Sequence, residues 1–361
     1  MAIGRVRPAV AGLASYTPGK AASQVEIEHN IDDAIKLASN ENPWSPVPEV
    51  ANAIAEAVVG INRYADNNAT DVRNAIGSWL GIDPLHITVG CGSSGLLQQL
   101  FMTYVDPGDE VVFPYPSFEI YPIFSTLFDA VQVRVPLVDY AFDLDAVAEA
   151  VTDKTTLVFL ATPNNPTGTS ITIGALETLL DRISDDVMVV VDEAYREFND
   201  PAFGDPVELQ ATHRNLVVTR TFSKAFGLAG LRSGYAVCDP EIVRELDKVR
   251  LAFSVNNLSQ VGMLAAIEYE DAALERVAEL VAERQRSHAA LVDAGVELPA
   301  SHANFIFIPT GEATADIAVE MEKQGVVTRP FPGLGLRVTI GSPSENDRWL
   351  HSFLNAPSRQ I

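Results

Sequence analysis

The feature that most constrains the fold is a series of short, wholly apolar segments between residues 50 and 240, separated by helical patterns. A strand that is apolar throughout, rather than at alternate positions, is one that is covered on both faces. The segments predicted as strands are 86–89, 110–113, 157–160, 187–191 and 216–219. Their alternation with helices predicts an α/β fold built on a mostly parallel sheet.

The chain of 361 residues is long enough for a second, smaller domain. After about residue 241 the pattern becomes helical and charged, and one long amphipathic helix is predicted over 271–291. Short strands follow at 305–308 and 336–340. We therefore expect a large domain over 36–250, a small domain over 251–361, and an N-terminal arm over 1–35 that packs with the small domain.

Charge and cysteine content exclude several classes of function. The net charge of −23 repels nucleic acid and anionic membranes. Cys91 and Cys238 are far apart in sequence and predict neither a disulfide framework nor a metal cluster. Residues 1–20 have no apolar core of signal-peptide length, and no apolar run reaches the roughly 18 residues of a membrane span. A cytoplasmic location is the expectation.

Polar and glycine-rich clusters follow each predicted strand of the large domain. They begin at Gly90, Pro114, Thr162, Asp192 and Thr221. In an open parallel sheet, ligands bind in the crevice at the carboxyl ends of the strands. Five such clusters at one edge of the sheet predict a ligand site there.

The cluster after the last of these strands contains a lysine among hydroxyl groups. Lys224 leaves an apolar strand and is flanked by Thr221 and Ser223, with Arg232 eight residues further on. A lysine in such surroundings is a candidate for Schiff-base chemistry. Hydroxyls and an arginine are also suitable ligands for a dianionic phosphate. This combination predicts a site for pyridoxal 5′-phosphate (PLP).

The other clusters supply chemistry that such a cofactor needs. Asp192 at a strand end would be costly to bury without a positive partner, which a protonated pyridine nitrogen would provide. Asn165 and Tyr195 are predicted to bind the phenolic oxygen of the ring, and Phe118 to stack on its face. Backbone N–H groups at the start of a helix also bind phosphate, and here the predicted residues are Gly92, Ser93 and Ser94.

Residues 90–95 also match the G-x-G-x-x-G pattern of dinucleotide-binding folds. Such a site requires an acidic residue near the end of the next strand. Asp109 and Glu110 instead stand at its start. The pattern therefore does not favour a nicotinamide-dependent enzyme.

Together these motifs resemble those of class I/II, fold-type I PLP-dependent aminotransferases, over essentially the whole chain. Segments 16–20, 37–43, 63–67 and 301–305 are similar to the histidinol-phosphate aminotransferase branch of that group. The resemblance implies a three-layer αβα large domain, a smaller α/β domain, and a homodimer that shares its active sites. It implies that Tyr64 reaches the phosphate of the neighbouring subunit. It also implies that the substrate contacts Tyr16, Asn40, Tyr121, Arg329 and Arg337.

Two departures favour a particular substrate. An acidic residue commonly follows the glycine–serine pair in histidinol-phosphate enzymes, whereas Gly92 and Ser93 are followed here by Ser94 and Gly95. The ring-stacking residue, usually tyrosine, is Phe118. Both features are more similar to the aromatic (phenylalanine) aminotransferases of actinobacteria.

The resemblance thus implies ping-pong transfer of an amino group between an aromatic amino acid and 2-oxoglutarate, with Lys224 as the proton shuttle. Three alternatives remain open. They are a histidinol-phosphate aminotransferase, a PLP-dependent decarboxylase of an amino-acid phosphate, and a non-catalytic α/β binding protein.

Overall fold

The computed structural model describes residues 4–13 and 19–360. Tyr16, which was predicted to contact substrate, lies outside the described residues. The strands are β1 (Ile35–Lys36), β2 (Ile87–Cys91), β3 (Glu110–Tyr115), β4 (Val131–Pro136), β5 (Thr155–Ala161), β6 (Met188–Asp192), β7 (Leu216–Thr221), β8 (Ser233–Val237), β9 (Phe305–Ile308), β10 (Val326–Val327), β11 (Arg329–Phe331) and β12 (Gly335–Thr339).

The helices alternate with these strands in the first two thirds of the chain. They are α1 (Pro8–Ala11), α2 (Ala22–His29), α3 (Pro48–Ala57), α4 (Thr70–Leu80), α5 (Gly92–Tyr104), α6 (Ile120–Leu127), α7 (Leu144–Glu149), α8 (Ile173–Leu180), α9 (Pro240–Val249), α10 (Asn257–Glu268), α11 (Glu270–Asp293), α12 (Thr314–Glu322) and α13 (Pro343–Leu354). The long helix predicted over 271–291 is α11, extended by one residue at its start and two at its end.

A seven-stranded sheet forms the centre of the large domain, in the order β2-β8-β7-β6-β5-β3-β4. Only β8 runs antiparallel to its neighbours in this sheet. The predicted α/β class with a mostly parallel sheet is therefore confirmed. Because the other six strands share one direction, the ends of β2, β3, β5, β6 and β7 meet at one edge.

Both faces of this sheet are buried, which explains the wholly apolar strands. Alternate residues of one strand enter two different cores: Leu157 and Phe159 pack with α5 and α6, whereas Val158 and Leu160 pack with α7 and α8. Successive side chains of a strand point to opposite faces. Burial of each such side chain contributes roughly 1.5–3 kcal/mol, so polar residues are tolerated chiefly at the strand ends.

Several helices begin where a short polar side chain caps the first turn. Asp143 caps α7, Thr172 caps α8 and Asn256 caps α10. Ser342 and Glu345 form a reciprocal capping box at α13. Each such cap stabilises a helix start by about 1 kcal/mol.

A second sheet of three antiparallel strands, in the order β11-β12-β9, lies in the C-terminal part of the chain. Its middle strand β12 pairs Arg337 with Arg329 of β11 and with Phe307 of β9. Residues directly opposite one another in antiparallel strands share a face of the sheet. The two arginines are therefore neighbours on one face.

The segment after residue 19 packs against this C-terminal part. Strand β1 pairs in parallel with β10, and Val25 of α2 packs with Ala38 and Val327. Lys20 donates a 2.8 Å hydrogen bond to Glu322 of α12. The limits of the arm and of the two domains stay predictions.

Within the described ranges, no helix is both long enough and apolar enough to cross a bilayer.

Candidate active site

The edge of the large sheet where the strands end contains a cavity of about 240 Å³ that also reaches β12. Most of the predicted site residues line this cavity: Asn40, Ser93, Ser94, Phe118, Asn165, Asp192, Tyr195, Thr221, Ser223, Lys224, Arg232 and Arg337. The sheet and the turns after its strands therefore bring together residues that are up to 297 positions apart, from 40 to 337.

Lys224 lies in the turn after β7, and its side chain is partly buried. Its Nζ donates a 3.2 Å hydrogen bond to the carbonyl of Ser39. Burial lowers the pKa of Lys224 to about 8, and the positive charge of Arg337 acts in the same direction. A lowered pKa means that a substantial fraction of this amine is neutral near physiological pH, as a nucleophile or base requires.

Asp192 is the last residue of β6 and is 3% exposed. Tyr121 Oη and Thr219 Oγ1 each donate a 3.1 Å hydrogen bond to its carboxylate. Burial raises the pKa of Asp192 to about 6, while these two hydrogen bonds oppose the shift. Among the described residues the carboxylate has hydroxyl partners but no cation.

Tyr121 differs from the prediction that it contacts substrate. Helix α6 turns its side chain inwards, where it is fully buried and stacks on Phe159 with ring centroids 4.8 Å apart. Its hydroxyl donates to Asp192, which lines the cavity, whereas Tyr121 itself does not. The hydrogen bond from Tyr121 therefore orients the carboxylate of Asp192.

Tyr195 is held by a network that joins the two parts of the chain. Asn40 Nδ2 donates a 2.9 Å hydrogen bond to Tyr195 Oη. The backbone N–H of Asn40 donates to Thr339 Oγ1, and Asn304 Nδ2 donates to the carbonyl of Asn40. Asn40 adopts a left-handed backbone with φ of 53°, which asparagine tolerates better than most residues. This conformation positions its amide between β12 and Tyr195.

The start of α5 approaches Arg232 closely at one end of the cavity. Gly92 has φ of +70°, and a Cβ there would lie 2.7 Å from Arg232 Nη2. A side chain at Gly234 would lie 2.5 Å from the backbone nitrogen of Ser93. Thr221 Oγ1 donates a 2.9 Å hydrogen bond to Ser223 Oγ. Because Gly92 and Gly234 have no side chains, the start of α5, the hydroxyls of Thr221 and Ser223 and the guanidinium of Arg232 can lie together at this end of the cavity.

Arg337 lies across the cavity from the large sheet and is 7% exposed. Its guanidinium donates to Asn165 Oδ1 at 2.5 Å and to the carbonyl of Ala38 at 2.6 Å. These hydrogen bonds hold a permanent cation in the cavity that Lys224 also lines, and its charge lowers the pKa of that lysine. Such a fixed guanidinium suits recognition of a carboxylate.

Three further predicted residues lie outside the cavity lining. Gly92 is the first residue of α5 and directly precedes Ser93. Arg329 is paired with Glu119, from Nη2 to the two carboxylate oxygens at 3.0 and 2.8 Å. Tyr64 is 83% exposed and stacks on Phe253 with ring centroids 4.4 Å apart.

The sequence interpretation missed the residues that hold the predicted ones in place. Thr219 supports Asp192, Thr339 supports Asn40, and Asn304 supports Asn40 from a third element. The role of Thr219 could have been predicted from the sequence, because it stands two residues before the cluster that begins at Thr221. Its strand, β7, pairs with the strand that ends at Asp192. The roles of the partners from β12 and from the segment before β9 could not have been predicted in this way, because they lie more than 260 residues away in sequence.

The groups that line the cavity match the groups of PLP. A phosphate would meet Ser93, Ser94, Ser223 and the guanidinium of Arg232. A protonated ring nitrogen would provide Asp192 with a cationic partner, and Lys224 carries an amine with a lowered pKa. The donor set and the glycine-lined approach fit the cofactor.

Comparison with known proteins supports the same assignment. The aminotransferase class I and II family matches residues 32–353. An aromatic amino acid aminotransferase of Mycobacteroides abscessus is 43% identical over 96% of this chain and 97% of its own length. One of Rhodococcus jostii is 43% identical over 99% of this chain and 97% of its own length.

Among solved structures, the histidinol-phosphate aminotransferase of Sinorhizobium meliloti in complex with PLP superimposes with a TM-score of 0.91. It is 28% identical, and the match covers 99% of each chain. This agreement confirms the fold-type I architecture that the motifs predict. The chain belongs to the class I and II aminotransferase family.

Proposed function

We propose that this protein is a PLP-dependent aminotransferase that moves an amino group between an aromatic L-amino acid and 2-oxoglutarate in two half-reactions at one site. The observation that carries the proposal is the shared cavity, which places the amine of Lys224, the buried carboxylate of Asp192 and the guanidinium of Arg337 together. The aromatic preference is supported by relatives named aromatic amino acid aminotransferases at 43% identity.

In the proposed holoenzyme, Ser93, Ser94, Thr221, Ser223 and Arg232 hold the phosphate of PLP, together with the backbone at Gly92. Asp192 holds the ring nitrogen, Asn165 and Tyr195 hold the phenolic oxygen, and Phe118 covers one face of the ring. When bound, PLP withdraws electrons from the substrate and makes the proton on its Cα acidic.

Lys224 is the proposed covalent anchor and base. Its amine, once free and neutral, accepts the proton from the substrate's Cα. The lowered pKa of about 8 supports this role, because a lysine at its ordinary pKa would be almost wholly protonated at neutral pH. The carbonyl of Ser39 orients the amine by accepting its hydrogen bond.

Arg337 is proposed to bind the α-carboxylate that aromatic amino acids and 2-oxo acids share. Its hydrogen bonds to Asn165 and Ala38 orient the guanidinium before substrate arrives, which reduces the entropy lost on binding. Asn40 keeps the hydroxyl of Tyr195 directed by its 2.9 Å hydrogen bond. Asp192 is kept in position by Tyr121 and Thr219.

The active unit is proposed to be a homodimer in which Tyr64 reaches the phosphate of the other subunit. The exposed ring of Tyr64 stacks on the exposed ring of Phe253, which supports this proposal. Other exposed large apolar residues occur within a few positions of these two in sequence: Val58, Val59, Ile61 and Leu251. Exposed apolar surface of this kind is typical of protein interfaces. Sedimentation equilibrium of the holoprotein measures the assembly, and a monomeric mass would contradict the shared site.

The cytoplasm is the proposed location. Both cysteines are free thiols in this structure, which is the usual state in a reducing compartment. Fractionation of the producing cells with an antibody against the protein tests the location.

A histidinol-phosphate aminotransferase is the second candidate, because the Sinorhizobium meliloti neighbour carries that name. The two candidates share a planar ring on one side of the amine-bearing carbon and an anionic group on the other. In an aromatic amino acid that group is a carboxylate, whereas in histidinol phosphate it is a phosphate ester in the carboxylate's place.

The test is a comparison of kcat/KM for phenylalanine, tyrosine and histidinol phosphate, each with 2-oxoglutarate as acceptor. The proposal predicts a preference for the aromatic amino acids of at least about tenfold, which corresponds to about 1.4 kcal/mol. A preference for histidinol phosphate would favour the second candidate. Release of CO2 without any need for an acceptor would identify a decarboxylase and contradict both.

A further inference from the structure

A second cavity lies between α11 and the segment before β9, and we call it the α11 cavity. Its walls are formed by the turn after β6, one side of α11 and residues 300–302. Its volume of about 510 Å³ lies within the range of small-molecule sites, which is roughly 300–1,000 Å³. Among the described residues, it shares none of its lining with the cavity that contains Lys224. The two cavities are therefore separate sites.

Arg284 of α11 places a buried positive charge in this cavity. The residue is 7% exposed, and its Nη1 donates hydrogen bonds of 3.0 and 2.8 Å to the carbonyls of Phe198 and Ala303. Within the part of the chain that the structure describes, no carboxylate pairs with it, and burial alone lowers the pKa of Arg284 to about 10. A buried charge that the chain does not balance is costly, and such groups are concentrated at functional sites.

Two histidines line the same cavity as this guanidinium. Burial lowers the pKa of His288 and of His302, and the charge of Arg284 adds to both shifts. Nε2 of His288 has no hydrogen-bond partner among the described residues. The carboxylate in the lining, Asp200, is exposed and already accepts a hydrogen bond from the backbone of Ala202. Near neutral pH the cavity thus offers one buried permanent cation and two neutral imidazoles that can donate hydrogen bonds.

The lining also indicates the class of ligand. One buried cation balances the single charge of a carboxylate more closely than the two charges of a phosphate ester. Phe198, Val281 and Ala289 contribute apolar surface, which suits an apolar body attached to that carboxylate.

We propose that the α11 cavity binds a small organic carboxylate, with its anionic group on Arg284, His288 and His302 and its apolar body against Phe198. This site goes beyond the proposed aminotransferase function and does not depend on it, because no described residue of the cavity around Lys224 takes part.

The experiment is a titration of the holoenzyme with benzoate, followed by NMR of protein labelled with 13C in its histidine rings. Only two of the six histidines line the α11 cavity, and none is among the described residues that line the cavity around Lys224. The signals of His288 and His302 therefore report this site even when benzoate also binds Arg337. Replacement of each by glutamine assigns its signal.

Benzoate is expected to shift both signals until they saturate, and to raise the pKa of both rings, because a bound anion stabilises the protonated imidazole. The other four histidines should not respond: His29, His86, His213 and His351. Benzamide has the same shape without the charge and should bind at least about tenfold more weakly, because it lacks the charge-assisted hydrogen bonds.

Matched variants separate binding from folding. Arg284→Met should abolish the shifts, but it also removes the hydrogen bonds to two carbonyls. Ala289→Trp instead fills the cavity from an exposed position of α11 and should weaken benzoate binding at least about tenfold, because the ring then occupies the ligand's space. Ala282→Trp, at an exposed position of the same helix outside the cavity lining, is its control and should bind benzoate like wild type.

Signals of His288 and His302 that do not move with benzoate would overturn the proposal. Equal binding of benzamide would also overturn it, since the charge would then not be recognised. Undiminished binding in Ala289→Trp would place the ligand elsewhere. Turnover plays no part in this titration, so a failure of the proposed function would appear in the kinetic comparison of donors and not here.

Discussion

Asp192 and Glu193 are adjacent in sequence and equally buried, but their surroundings differ. Glu193 accepts a 2.8 Å hydrogen bond from Arg220 Nε, and Arg220 also binds Asp205 at 2.5 Å. Asp192 meets only the hydroxyls of Tyr121 and Thr219 within the described residues. The two side chains therefore lie in different environments at the end of β6. The charge of Glu193 is paired with Arg220, whereas the carboxylate of Asp192 has only hydroxyl partners among the described residues.

The difference separates a structural carboxylate from a functional one. Burial raises the pKa of both residues, but for Glu193 the charges of Arg220 and Arg196 oppose the shift. A buried charge that the chain pairs itself can be explained by folding alone. A buried carboxylate without a cation destabilises the protein, and such groups are concentrated at functional sites.

The largest effect on stability is expected at the paired carboxylate. Arg220→Met should lower the free energy of unfolding by about 3–5 kcal/mol, because it leaves Glu193 buried without its guanidinium. Urea unfolding of the cofactor-free protein measures this change. Arg214→Met, which removes an exposed guanidinium that pairs with Asp239 and Glu241, is the control and should have a much smaller effect. Equal effects of the two variants would contradict the contrast.

Substitution of Asp192, in contrast, is expected to raise the free energy of unfolding. The pKa of Asp192 is raised from 3.8 to about 6, so the folded state binds its proton more tightly than the unfolded state does. Stability therefore falls as pH rises from about 4 to about 6 and stays lower above that range. Asp192→Asn should stabilise the cofactor-free protein by about 1–3 kcal/mol at pH 8 and by much less at pH 4.

Thermal unfolding of the two cofactor-free proteins at both pH values checks this prediction. The same substitution should weaken PLP binding and activity, because a neutral amide does not stabilise a protonated ring nitrogen. A variant that is less stable at pH 8 would show that Asp192 is structural, like Glu193.

A smaller effect, on the rate at which the protein captures PLP, is expected from the titration of Lys224. Covalent capture of PLP needs the neutral amine, and the pKa of Lys224 is lowered to about 8 by burial and then by Arg337. The capture rate of the cofactor-free protein should rise about tenfold per pH unit below that value and level off above it. Stopped-flow absorbance measures it. Arg337→Gln should move the midpoint upwards; a midpoint near 10.5 in wild type would contradict the lowered pKa.

The sequence predicted the part of the site that depends on strand ends. Asp192, Lys224 and Asn165 each follow a wholly apolar run, and a parallel sheet necessarily brings those ends together. Strands β6 and β7, in the interior of the sheet, were also predicted from their wholly apolar runs. Strand β4 escaped recognition because it lies at the sheet edge and alternates apolar with polar residues, from Val131 to Pro136. Strand β8 contains Ser233 and Gly234, which weaken a strand pattern.

The contacts that hold the site in place were not predictable, because they join distant segments. Glu119 and Arg329 are 210 residues apart, and Asn40 and Thr339 are 299 apart. Nothing local to Tyr121 indicates that its hydroxyl faces Asp192 rather than the cavity. That direction is set by the packing of α6 against Phe159 and Phe113.

The central claim is that the amine of Lys224 forms the covalent link to PLP. The most direct measurement is borohydride reduction of the purified holoprotein, followed by peptide mapping by mass spectrometry. The account predicts a phosphopyridoxyl group on Lys224 alone, and no labelled peptide in Lys224→Ala, while Lys154→Ala, at an exposed lysine, is labelled like wild type. A label on another lysine, or no label in an active protein, would contradict it.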